Sequence, residues 1–104
     1  MRLAGGIRID EPALDLGVIV ALLSSLYEKV VDPTTVVCGE VGLAGEIRAV
    51  GQMEQRLREA QRLGFKTFLM PESSSRQLEA GAAKGIQIQP VRSVHEVVER
   101  LFVG

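Results

Sequence analysis

Apolar and polar positions alternate in blocks that change period along the chain. Leu3 to Ile9 reads as a strand, with Gly5 and Gly6 marking a bulge or a close backbone approach. From Ala13 to Tyr27 the residues are apolar almost all round, with Asp15 the main exception, which predicts a helix lying in a core. Pro12 suits the first helical position, and Asp10 and Glu11 sit near its cap. "VVDPTT" (30–35) is a turn, and the β-branched run Val36 to Val41 predicts a strand. "GEVGLAGEIRAVG" (39–51) then spaces Gly39, Gly42, Gly45 and Gly51 around two short strands, as in a hairpin.

The second helix is amphipathic. Gly51 caps it, and Met53, Leu57, Ala60 and Leu63 or Gly64 recur at helical spacing on one face. Glu54, Gln55, Arg58, Gln61 and Arg62 take the other face, Glu54 and Arg58 standing one turn apart. Thr67 to Met70 is a short strand stopped by Pro71. Ser74 with Gln77, and Ser93 with Glu96, have the spacing of capping boxes opening two further helices. Between them, Ile86 to Val91 alternates as a half-buried strand does. The order β-α-β-β-α-β-α-β-α predicts an α/β (α+β) fold, a mixed sheet with packed helices. Without a linker or repeat, residues 1–104 form a single domain.

Composition narrows the function classes. The net charge of −1 excludes a generic polyanion binder while leaving room for a local basic face. The single Cys38 excludes an internal disulfide and, without clustered histidines, a Cys-rich zinc site. The longest apolar run, Leu16 to Leu23, is far too short for a membrane span, and no signal peptide opens the chain. The expectation is a cytoplasmic protein without membrane contact.

Residue chemistry alone offers little. The glycine-rich stretch lacks the following Lys-Ser/Thr of a phosphate loop and the spacing of a dinucleotide site. His95 reads as a surface residue, and Cys38 as a small buried hydrophobe. Ser24 and Ser25 are expected to bond backbone carbonyls one turn back. Asp15 in an apolar helix requires a partner, for which Arg8 or Arg48 is the expectation. Asp10 and Glu11 complement a helix start, as does Glu54. No nucleophile, base or metal set converges.

Two separated stretches nonetheless resemble a known family. "GEVGLAGEIRAVGQMEQRLREAQRLGFKTFLMP" is similar to the second half of the Lon protease proteolytic domain, and "IRIDEPALDL" resembles its nucleophile segment, where an Asp-Gly-Pro-Ser-Ala-Gly run opens a helix. Order and spacing agree from about Leu3 to Phe102. The wording is most similar to one branch, the C-terminal Lon-like domain of RadA-type (Sms) bacterial DNA repair proteins. Within the resemblance, Asp10 and Pro12 keep the family's residues and Glu11 replaces a glycine. The nucleophilic serine falls on Ala13, and its lysine base on Glu54. The resemblance therefore implies a degenerate Lon site with no catalytic residue of its own.

The resemblance also implies a parent protein. A zinc motif and an ATPase core precede this domain there, so zinc, ATP and magnesium belong to those parts and this stretch needs no cofactor. The chain reads as an N-terminally truncated fragment of that parent, which drives branch migration as a hexameric ring. The implied partners are other copies of itself and duplex or branched DNA. Nine of the twelve basic residues are arginine, and Arg56, Arg58 and Arg62, aided by Lys66, are the candidate phosphate contacts. A solvated helix face balanced by Glu54 and Glu59 accounts for the same residues. Two other readings compete: a working Lon-like peptidase using Ser24 with Lys29 or Lys84, and the Lon-like domain of a magnesium-chelatase-related ATPase.

Overall fold

A computed structural model describes residues 11–78, 81–82 and 84–102. The expected strand Leu3 to Ile9, with Gly5, Gly6 and Arg8, and the capping Asp10 lie outside the described residues. A single 3-10 turn, Pro12–Leu14, leads into α1 (Asp15–Tyr27), followed by β1 (Thr35–Val37), β2 (Glu40–Val41), β3 (Ile47–Arg48) and α2 (Met53–Arg62). Next come β4 (Thr67–Pro71), the one-turn α3 (Glu72–Ser75), β5 (Gln87–Val91) and α4 (Val94–Phe102).

β1, β4 and β5 form a parallel sheet in that order, with Val37 opposite Leu69 and Leu69 opposite Gln89. Parallel sheets need cover on both faces, and the central strand shows it. Phe68 and Met70 join Cys38, Met53, Leu57 and Ala60 on one side, while Leu69 joins Leu16, Val20, Val97 and Phe102 on the other. α2 therefore covers one face, and α1 with α4 covers the opposite one. Pro90 is tolerated because, among the described residues, β5 has a neighbour on one side only.

β2 and β3 make the separate antiparallel hairpin that the glycine spacing predicts, with Val41 opposite Ile47. Gly45 takes φ +82° at its tip. The Ile47 N–H donates to the Arg92 carbonyl at 2.8 Å and the Val94 N–H to Gly45 at 2.9 Å, docking the hairpin on the start of α4.

Several expectations need correction. The run Val36 to Val41 is not one strand, because it breaks at Cys38–Gly39 and passes from the parallel sheet to the hairpin. α1 is not a core helix. It buries only Leu16 and Val20, and Leu22 and Leu26 stand 65% and 72% exposed, since α1 packs with one side against β1, β2 and α4 and turns the other outward. Gly51 does not cap α2, whose preceding residue is Gln52 in the left-handed region at φ 59°. Ser74 opens no helix either. α3 starts at Glu72, straight after Pro71, and leaves Ser74 buried inside it. The second box holds in part: the Glu96 N–H donates to Ser93 Oγ at 3.2 Å, and its carboxylate reaches back to the Arg92 N–H at 3.1 Å.

Candidate functional site

The turn carrying Ala13 is pinned from below. The Gly39 N–H donates to the Ala13 carbonyl and the Leu16 N–H to the Gly39 carbonyl, both at 3.0 Å. This approach requires the glycine, because a Cβ at Gly39 would come within 2.9 Å of Ile47 Cγ2. Ala13 is held 2% exposed at the edge of a cleft of about 180 Å³, whose walls include Glu11, Glu40, Val50, Gly51 and Arg56. The Arg56 guanidinium forms an ion pair with Glu11, and its Nε donates to the Gly51 carbonyl at 3.0 Å.

Cys38 lies in the same apolar cluster as Ala13 and Met53. Burial pushes its thiol pKa up, with the Arg56 charge opposing and the Glu11 charge adding to the rise. It behaves as the expected buried hydrophobe.

Glu54 does not share this cleft. It lines a neighbouring one of about 230 Å³ with Gln52, Ser74 and Gln77, and its carboxylate faces Arg58 at 3.7 Å. Val50 and Gly51 line both clefts. The group that α2 brings to the cleft beside Ala13 is thus Arg56, a donor-only cation that cannot serve as a base. The Glu11–Arg56 pair is what sequence reasoning missed. Forty-five positions separate its members, so no local pattern along the chain marks the pair.

Of the alternative pairing of Ser24 with Lys29 or Lys84, Ser24 and Lys29 each have a backbone partner. Ser24 Oγ donates to the Lys29 backbone carbonyl, ahead of it rather than one turn back, while Lys29 Nζ donates to the Phe102 carbonyl at 2.7 Å. The first bond closes the C-terminal end of α1, and the second ties the residues just beyond it to the end of α4. Asp15 is half-buried and accepts from the Val41 N–H at 3.2 Å, whereas Arg48 pairs with Glu46 at 2.9 Å. Among the described residues its partner is therefore a backbone amide rather than Arg48. His95 is exposed as expected, 2.8 Å from Glu99.

The candidate basic face is divided. Arg56 turns toward the cleft, whereas Arg58 and Arg62 are solvent-facing and matched by Glu54 and by Glu59, the latter accepting from Arg62 Nε at 3.1 Å. The Glu59 carboxylate pKa is held down by the Arg62 hydrogen bond. Lys66 is exposed just before β4.

A turn pinned to a strand end, a hairpin and an amphipathic helix behind one cleft agree with comparison to known proteins. Residues 3–104 match the Lon protease (S16) C-terminal proteolytic domain. The chain belongs to this family. Within it, the chain is 42% identical over 98 residues to DNA repair protein RadA of Synechocystis sp., covering 94% of this chain and 19% of that protein. It is 41% identical over 102 residues to the RadA of Streptococcus pneumoniae, covering 98% and 24%, and 45% identical over 102 residues to that of Aquifex aeolicus, covering 98% and 22%. The chain thus spans about a fifth to a quarter of the length of these relatives. In this Lon-family domain, no helix among the described residues is long and apolar enough to cross a membrane. Among the same residues, no group of three or more His, Cys, Asp and Glu side chains could hold a metal ion.

Proposed function

We propose that this chain is the non-proteolytic Lon-like scaffold domain of a RadA-type DNA repair and recombination protein, and that it performs no catalysis itself. The observation that carries the reading is the buried Ala13 in the place of the Lon nucleophile, with an arginine rather than an amine base beside it. A methyl group cannot attack a carbonyl, and loss of both members of such a unit removes roughly a millionfold in rate where it has been dissected. The similarity to RadA proteins supplies the setting. ATP, magnesium and zinc then belong to other parts of the parent, a cytoplasmic DNA-dependent ATPase.

In that setting the domain supports ring assembly, hexameric in the parent, and contact with duplex DNA during branch migration. The exposed leucines of α1 are consistent with assembly. Arg58, Arg62 and Lys66 remain the phosphate-contact candidates, since exposed ion pairs are worth about 1 kcal/mol or less and exchange readily for phosphate. Arg56 contributes from within the cleft rather than from the open face. The test combines three measurements on the chain: reaction with a serine-directed phosphonate, oligomeric mass, and duplex-DNA binding at low and moderate salt. The expected result is no labelling, a self-associated species, and binding that weakens steeply with salt. Labelling of any serine overturns the non-proteolytic reading. A monomer that binds no DNA overturns the scaffold reading for this stretch.

A further inference from the structure

On the proposed reading of a Lon-like site without its nucleophile, the cleft carries an ion pair on its wall. Glu11 stands at the entry to the Pro12–Leu14 turn and Arg56 one turn into α2, so their ion pair joins the two elements that flank Ala13. Arg56 is braced a second time by the Gly51 carbonyl at 3.0 Å, and its side chain is only 28% exposed. Cys38, 7% exposed, belongs to the apolar cluster that includes Ala13, and both charges of the pair act on its thiol. A guanidinium fixed at two points fills space that a long flexible chain would otherwise leave mobile.

We infer that Glu11 and Arg56 form a latch across the former peptide cleft, holding the Ala13 turn against α2 and closing the approach to the residues beneath. The latch makes the nucleophile turn a structural joint. It also makes restoration of a serine insufficient for reactivity, because the side chain that α2 sets on the wall of this cleft is Arg56, held in the pair and unable to act as a base.

Cys38 is the chain's single cysteine and reports on the latch directly. The experiment measures its alkylation by iodoacetamide in the wild type, Glu11→Gln, Arg56→Gln and the charge swap Glu11→Arg/Arg56→Glu. If the pair is a latch, both single variants react about three- to tenfold faster, the scale of one partly exposed ion pair with a hydrogen bond, and the swap returns to within about twofold of the wild type. Electrostatics without gating gives a different pattern. Removing Glu11 favours the thiolate and speeds the reaction, whereas removing Arg56 disfavours it and slows the reaction. Opposite shifts, or no shift in either variant, overturn the latch. The rates are repeated in low urea beside circular dichroism. Latch opening exposes little surface and leaves the acceleration flat, whereas a rate that climbs in step with unfolding also overturns the proposal.

Discussion

Ala13 occupies a position that does not tolerate a hydroxyl. At 2% exposure, a serine hydroxyl there leaves water and meets the apolar cluster of Cys38, Met53 and Leu57. Ala13→Ser is expected to cost about 1–3 kcal/mol in urea unfolding and to give no phosphonate adduct. A stable, labelled variant would mean that the cleft retains a base. Cys38 makes a second expectation at this scale. Burial disfavours its thiolate, so the folded pKa lies above the unfolded value near 9.0, and stability present below that value is lost as pH rises through the folded one. Thermal midpoints between about pH 8 and 10.5 should fall more steeply for the wild type than for Cys38→Ala; parallel slopes would refute the assignment. Single residues were readable from sequence where the answer was local. The burial of Cys38, the exposure of His95 and the Glu54–Arg58 pairing followed from pattern. The partner of Asp15 did not, because a backbone amide of β2, 26 positions away, carries no side-chain signature.

Among the elements, α2 and α4 follow from the sequence because each has one apolar stripe, and a stripe has a phase. Met53, Leu57 and Ala60 on α2, and Val97 and Phe102 on α4, fall on the buried sides that phase dictates. α1 is apolar all round, so its sequence names a helix without saying which side is covered. The break between β1 and β2 was equally hidden, since Val36 to Val41 contains only one residue that betrays it. That residue is Gly39, where the chain leaves the parallel sheet and accepts the Ala13 turn at close range. Gly39→Ala sets a methyl group against Ile47, Leu16 and Pro71 at 2.9, 3.5 and 3.5 Å. The expected loss is about 1–3 kcal/mol by overpacking, read as a lower urea midpoint with unchanged slope. A neutral result would show that Ile47 rotates away freely. Gly45→Ala, whose Cβ meets nothing within 4 Å but whose φ is +82°, separates crowding from backbone strain.

At the scale of the whole molecule, charge pairing and apolar exposure point to one dependence. The net charge is −1, and the solvent-facing arginines of α2 are matched by glutamates, so a single copy presents little free positive field. A DNA contact built from such residues needs many copies arrayed on one duplex. On the proposed scaffold reading, copies are arrayed through the outer side of α1, where Leu22 and Leu26 lie one turn apart and lead toward Val30, 91% exposed. Contiguous apolar surface of this kind marks contact sites on soluble domains. Leu22→Glu/Leu26→Glu is expected to weaken self-association by at least about tenfold, since burying two leucines is worth about 3 kcal/mol or more. The thermal midpoint measured at low concentration should hold, because neither side chain is in the core. DNA affinity should fall with assembly although no basic residue has been changed. Sedimentation and DNA titration of the same samples decide the matter: a variant that becomes monomeric yet binds DNA as before would place the phosphate contacts within one copy, and a variant that stays assembled would move the interface away from α1.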